Sequence, residues 1–174
     1  MKKFVVGVLL IFSRSVTPAG AEESAWCNNA ASPCSNLPAW VMRAAQSAQL
    51  SKRYDVSTQL NPFFQSGDFN GDGKLDIAVL VRNKTTLQTG IVIFLYGGAK
   101  PIVLGAGSAF RNGGADFSWM DNWSVYPKQD VHKSRWENKP SAPKGDALWV
   151  AKSESASAFI FWDGKQFVWY QQSD

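Results

Sequence analysis

Residues 75–81 read Leu-Asp-Ile-Ala-Val-Leu-Val. Ile77, Val79 and Val81 fall at alternate positions and share one face of an extended chain. Ala78 and Leu80 make the opposite face apolar too. A strand without a polar face needs cover on both sides, so this stretch predicts a central strand. Segment 91–96 (IVIFLY) predicts its antiparallel partner across the polar loop 83–89, and Gly97-Gly98 ends it. Segment 101–104 (PIVL) predicts an edge strand, because a proline cannot donate to a central ladder.

The same signals recur near the C-terminus. Segments 147–152, 158–162 and 167–170 read as strands, with Asp163-Gly164 as a tight hairpin turn. Upstream, Leu37, Trp40, Val41, Ala44, Ala45 and Ala48 form one apolar stripe at helical period. Ser35 or Asn36 would cap that helix, Pro38 would occupy its first turn, and it would end near Leu50. No internal repeat stands out, which argues against a propeller or solenoid. The predicted fold class is α+β: an N-terminal helix packed on a mainly antiparallel sheet of about six strands, with one β-hairpin calcium loop. Segment 105–146 is rich in Gly, Ser, Asn and Pro yet carries Trp119, Trp123 and Trp136. A structureless loop of that size is improbable in a small domain. The segment predicts either a short helix or edge strands, or a functional loop.

The first residues read as an address. Met1-Lys2-Lys3 is a basic start, residues 4–12 (FVVGVLLIF) are an apolar run too short to span a bilayer, and Ala19-Gly20-Ala21 is a small-residue cleavage pattern. Residues 1–21 are therefore expected to be a cleaved signal peptide and 22–174 a single domain, periplasmic or secreted, with no transmembrane anchor after cleavage. The formal charge of +4 changes meaning with that cut. Lys2, Lys3 and Arg14 leave with the signal, and the remainder carries about +1. Lys128, Lys133, Arg135, Lys139 and Lys144 are interleaved with Asp130, Glu137 and Asp146, so no concentrated basic surface points to nucleic acid. In an oxidising compartment Cys27 and Cys34, the two cysteines of the chain, are expected to form a disulfide. The loop-entropy argument gives so short a ring about 2–3 kcal/mol.

The residues that carry chemistry stand just before the central strand. Segment 68–76 reads Asp-Phe-Asn-Gly-Asp-Gly-Lys-Leu-Asp. Asp68, Asn70 and Asp72 place oxygens at alternate positions, Gly73 permits a sharp turn, Lys74 offers its backbone carbonyl, and Asp76 adds a carboxylate. Such hard oxygen donors suit Ca2+, whereas Mg2+ prefers to keep its waters. Three carboxylates on one turn would repel each other without a cation. An EF-hand would need Glu at the twelfth position, which here is Val79. The pattern followed by Ile-Ala-Val-Leu resembles the calcium loops of FG-GAP/VCBS repeats, which occur in integrin-like propellers and in many exported bacterial proteins. The resemblance covers 67–81, a single repeat where such proteins usually have several. It implies Asp68, Asn70, Asp72, Lys74 and Asp76 as ligands of a structural ion.

Other chemistry is thinly supplied. His132 is the single histidine, and no Gly-x-Ser-x-Gly elbow precedes a helix. Asp116, Asp121 and Glu137 lie among aromatics, as the acids of glycoside hydrolases do, but that reaction needs a defined carboxyl separation. Trp119 and Trp123, spaced by four, share a face in either a helix or a strand. Together with Asp121 and Trp136 they are the candidate ligand-binding residues; Trp40, Trp149, Trp162 and Trp169 read mostly as core. The sequence thus predicts a non-catalytic, calcium-stabilised extracytoplasmic binding domain whose ligand is a protein or a cell-envelope glycan. The alternatives are a periplasmic inhibitor or immunity protein for a lysozyme-like cell-wall hydrolase, and a carboxylate-dependent glycan hydrolase.

Overall fold

A computed structural model describes residues 33–133 and 142–173 together with Trp26. The signal segment, Cys27, Arg135, Trp136, Glu137 and Lys139 lie outside the described residues. A 3-10 turn, Pro33–Asn36, leads into helix α1, Ala39–Ser47, and a second 3-10 turn, Leu50–Lys52, follows. Nine strands come after it among the described residues. They are β1 (Tyr54–Val56), β2 (Phe64–Gly67), β3 (Asp76–Asn83), β4 (Thr89–Phe94), β5 (Ile102–Gly105), β6 (Asn122–Tyr126), β7 (Ala147–Lys152), β8 (Ala156–Trp162) and β9 (Phe167–Ser173).

These strands form two antiparallel sheets, and the expected fold class is corrected accordingly. The protein is mostly β, with a five-stranded and a four-stranded sheet, not a helix on a single sheet of six. The first sheet runs β1-β3-β4-β5, with β2 also on β3. β3 is long enough to carry two partners on one edge: β1 pairs through Val56 with Val81, and β2 pairs through Phe64 with Val79. The second sheet is a meander, β6-β7-β8-β9.

The alternation within β3 explains why one sheet was not enough. Ile77, Val79 and Val81 join Val41, Ala45 and Leu50 in the core beneath α1. Ala78 and Leu80, with Ile91 and Ile93 of β4, face Leu148, Val150 and Ile160 of the second sheet. The helix covers one face only, and the even face would stay wet without a second layer. Covering a Leu or Ile side chain contributes about 1.5–3 kcal/mol, so that face is decisive. The outer face of the second sheet carries a further cluster, Val131, Ala147, Phe159 and Phe161.

Several local expectations change. The helix starts after Pro38, with no side-chain cap; Ser35 and Asn36 are exposed in the preceding turn. The Asp163-Gly164 turn is a four-residue loop, because Trp162 pairs with Phe167. Segment 105–146 contains β6 and two 3-10 turns, Arg111–Gly113 and Lys128–Lys133. Cys34 is buried in the α1 core and is not a free thiol. No helix among the described residues is long and apolar enough to cross a membrane.

Candidate functional site

The 68–76 loop leaves β2 and returns as β3. Its carboxylates first organise the backbone. Asp68 accepts N–H bonds from Gly71 and Asp72 on Oδ1 (2.7 and 3.0 Å) and from Gly73 on Oδ2 (2.9 Å). Asn70 Oδ1 accepts from the N–H of Asp72, and Asp72 Oδ1 from that of Lys74, both at 2.9 Å. The Asn70 amide also donates to Asp72 Oδ2 at 3.3 Å, so these two side chains touch. Such nested Asx turns bind the side-chain oxygens to the loop's own backbone N–H groups. Gly71 and Gly73 both take φ of +81°, a conformation that glycine adopts without strain.

Asp76 is set differently from the other candidate ligands. It is fully buried, and its oxygens accept the N–H groups of Phe69 (3.0 Å) and Tyr96 (2.8 Å). It therefore clamps the base of the loop to the end of β4. Burial pushes its carboxyl above the ordinary value; the Tyr96 and Phe69 N–H groups pull it down, and the charge of Asp72 pushes it up again. Lys74 Nζ lies 4.0 Å from Asp72, partly balancing the lip of the loop.

The fit to a cation is partial. Among the described residues no three His, Cys, Asp or Glu side chains converge as a ready metal site. Yet a carboxylate has about four lone-pair positions, so the N–H bonds do not exhaust Asp68, Asp72 or Asp76. A buried carboxylate raised by burial and by a neighbouring negative charge is one that a positive ion would favour. Asp68, Asn70, Asp72 and the Lys74 carbonyl are the groups at the lip that would hold it, with Asp76 at the base.

The loop is also tied to the rest of the fold, which the sequence did not reveal. Asp146 donates its N–H to the Asp68 carbonyl at 2.6 Å and accepts the Asp68 N–H on Oδ2 at 3.1 Å. A methyl at Gly71 would strike the Lys144 carbonyl, and one at Gly145 would strike the Asp68 carbonyl. Two glycines thus let the loop and segment 144–146 lie backbone against backbone. Phe69, fully buried, inserts into the core between the sheets. The loop is a rivet at the seam of the sandwich. In the sequence, Asp146 reads only as one charge among the interleaved charges of 128–146.

The aromatic candidates do not form one surface. Trp123 is 3% exposed, lies in the inter-sheet core, and donates its indole N–H to the Pro62 carbonyl at 2.8 Å. It has no face to offer a ligand. Trp119 is half-buried, edge-on to Phe117 at 6.4 Å and to Trp169 at 6.1 Å. Asp121 is exposed; the Ser153 N–H, above all, holds its carboxyl below the ordinary value, and Lys152 pairs with it at 3.1 Å. Asp116 serves the backbone as well. Burial would raise its carboxyl, but the Thr89 N–H and both donors of Ser118 outweigh burial and leave it lowered. Of His132, only its place in a 3-10 turn is described.

Comparison with protein-family models, with curated proteins and with solved structures found no match for the chain.

Proposed function

We propose that this chain is a non-catalytic, extracytoplasmic binding domain stapled by Ca2+ at the 68–76 loop, with a cell-envelope glycan as its ligand. The observation that carries this reading is the placement of the loop. Its oxygen-rich lip is bonded to segment 144–146, and its Phe69 enters the core between the sheets. An ion there would tie both sheets together. The export signal expected in residues 1–21 supports an extracellular setting, where calcium is plentiful. The engagement of Asp116 and Asp121 in backbone and Ser153 contacts supports a structural use of these acids over a catalytic one.

The test has two arms. Thermal melting should rise in calcium and fall in chelator, because an ion that binds only the folded state stabilises it by about 2.7 kcal/mol at a hundredfold excess over Kd. Asp72→Ala should lose that difference. Equal melting of the wild type in both conditions would remove the metal from the reading. For the ligand, purified protein should be retained on isolated cell-wall sacculi; passage without retention would remove the glycan.

A further inference from the structure

We propose that the groove between α1 and the β4–β5 connection is a saccharide site selective for a carboxylated sugar. This inference rests on the glycan reading above and names the surface and the ligand class. The groove encloses about 580 Å3, within the roughly 300–1,000 Å3 of small-molecule clefts. One wall is Trp40, Ala44 and Ala48 of the helix region; the other is the Gly97-to-Lys100 turn, and Phe94 lies beneath.

The shape of this cleft follows from its residues. Alanines on the helix side and glycines on the turn side leave room beside the Trp40 indole. Trp40 is half-buried and is held edge-on by Phe94 (6.5 Å) and by Tyr96 (5.3 Å). A ring fixed in this way loses little freedom when a ligand packs on it. Its apolar body with a polar N–H suits the C–H face and hydroxyl rim of a pyranose. Tyr96 stands beside it, 48% exposed.

Charge selects among sugars. Lys100 lines the groove and makes no ion pair among the described residues, and no carboxylate lines it. A carboxylate on the sugar would meet an uncompensated ammonium. The cleft bordered by Asp55, Ser57, Gln59, Arg82 and Thr89 differs, because it carries a carboxylate of its own, Asp55, which would repel an acidic sugar. There Arg82 Nε donates to the Leu87 carbonyl, Lys84 pairs with Asp55 at 3.2 Å, and Thr89 donates to Gln59.

Titration calorimetry with two disaccharides tests the site. One is N-acetylglucosaminyl-N-acetylmuramic acid, whose lactyl group carries a carboxylate; the other is N,N′-diacetylchitobiose, its neutral counterpart. The wild type should bind the acidic sugar about tenfold more tightly, the scale of one charge-assisted hydrogen bond. Lys100→Gln should erase that preference by bringing the affinity for the acidic sugar down to that for the neutral one. Trp40→Leu should weaken both sugars. Trp40 also packs on Phe94, so Ala48→Phe, at an exposed position, serves as the independent block: it should abolish both while melting like the wild type. Equal affinity of the wild type for the two sugars, absence of binding to either, or unchanged binding by Ala48→Phe overturns the groove. Sacculus retention separates the two levels. If Ala48→Phe and Lys100→Gln are retained as well as the wild type, the groove falls and the glycan reading stands. If no form is retained, both fall.

Discussion

The 68–76 loop and the 163–166 turn use the same local device and reach different ends. In each, an aspartate accepts backbone N–H bonds from residues just downstream. Asp163 Oδ1 takes those of Lys165 (2.7 Å) and Gln166 (2.9 Å), much as Asp68 takes those of Gly71, Asp72 and Gly73. The aspartate bonds of the 163–166 turn stay local. The 68–76 loop adds three ties that leave it: Asp76 to Tyr96, Asp68 to Asp146, and Phe69 into the inter-sheet core. The electrostatics follow. The Gln166 and Lys165 N–H groups hold the half-buried Asp163's carboxyl below its ordinary value, whereas burial drives Asp76 above its own. Asx chemistry shapes a turn; burial and distant partners turn it into a joint.

The comparison can be broken by substitution. Phe69→Ala should have the largest effect, about 3–5 kcal/mol for a large aromatic removed from a closed core, measured by urea unfolding in chelator so that metal does not contribute. A loss under 1 kcal/mol would mean that the loop does not join the sheets. Asp76→Ala comes next. It strips two N–H groups of their acceptor and should cost about 2–3 kcal/mol under the same conditions, while Asp76→Asn, which keeps an acceptor oxygen, should cost less. Gly145→Ala should cost about 1–3 kcal/mol by forcing the 144–146 backbone off the loop; hydrogen exchange should then speed up at the N–H of Asp68, far from the mutated residue's own turn. Asp163→Ala should have the smallest effect, and its sign with pH is fixed. A lowered folded pKa contributes stability above the unfolded carboxylate value, about 3.9, and that contribution fades as pH falls through the folded pKa. The small melting difference between Asp163→Ala and wild type should therefore be present at pH 7 and shrink as the solution is acidified through and below the ordinary carboxylate value. A difference that grows on acidification would contradict the lowered carboxyl.

What the sequence made legible was local and repetitive. β3 and β4 stood out because branched residues fill both faces, and the loop stood out because its oxygens alternate with fixed spacing. β1 and β2 were missed because three and four residues show too little period. β6 was missed because its burial is confined to Trp123, with its other residues half-buried or exposed. The two-sided apolar character of β3 did say that two layers were required, but not that the second was another sheet. For the site, the motif identified the lip and left the anchorage hidden. Gly145 and Asp146 sit in a polar stretch more than sixty residues away, where nothing in their own neighbourhood marks them. Trp40 reads as one more residue in an apolar helical stripe, and its partial exposure beside Gly97-Gly98 depends on a pairing that only the fold supplies.

The divided edge of β3 has a consequence for how this protein meets other chains. A long unpaired strand edge is a template on which a foreign strand can add. The first sheet avoids offering one: the strands bordering it, β1, β2 and β5, have three, four and four residues, and Pro101 stands at the entry to the last. In the second sheet β6 has five residues and β9 has seven. Among the described residues the first sheet is thus guarded against the addition of a foreign strand by the shortness of its own border strands.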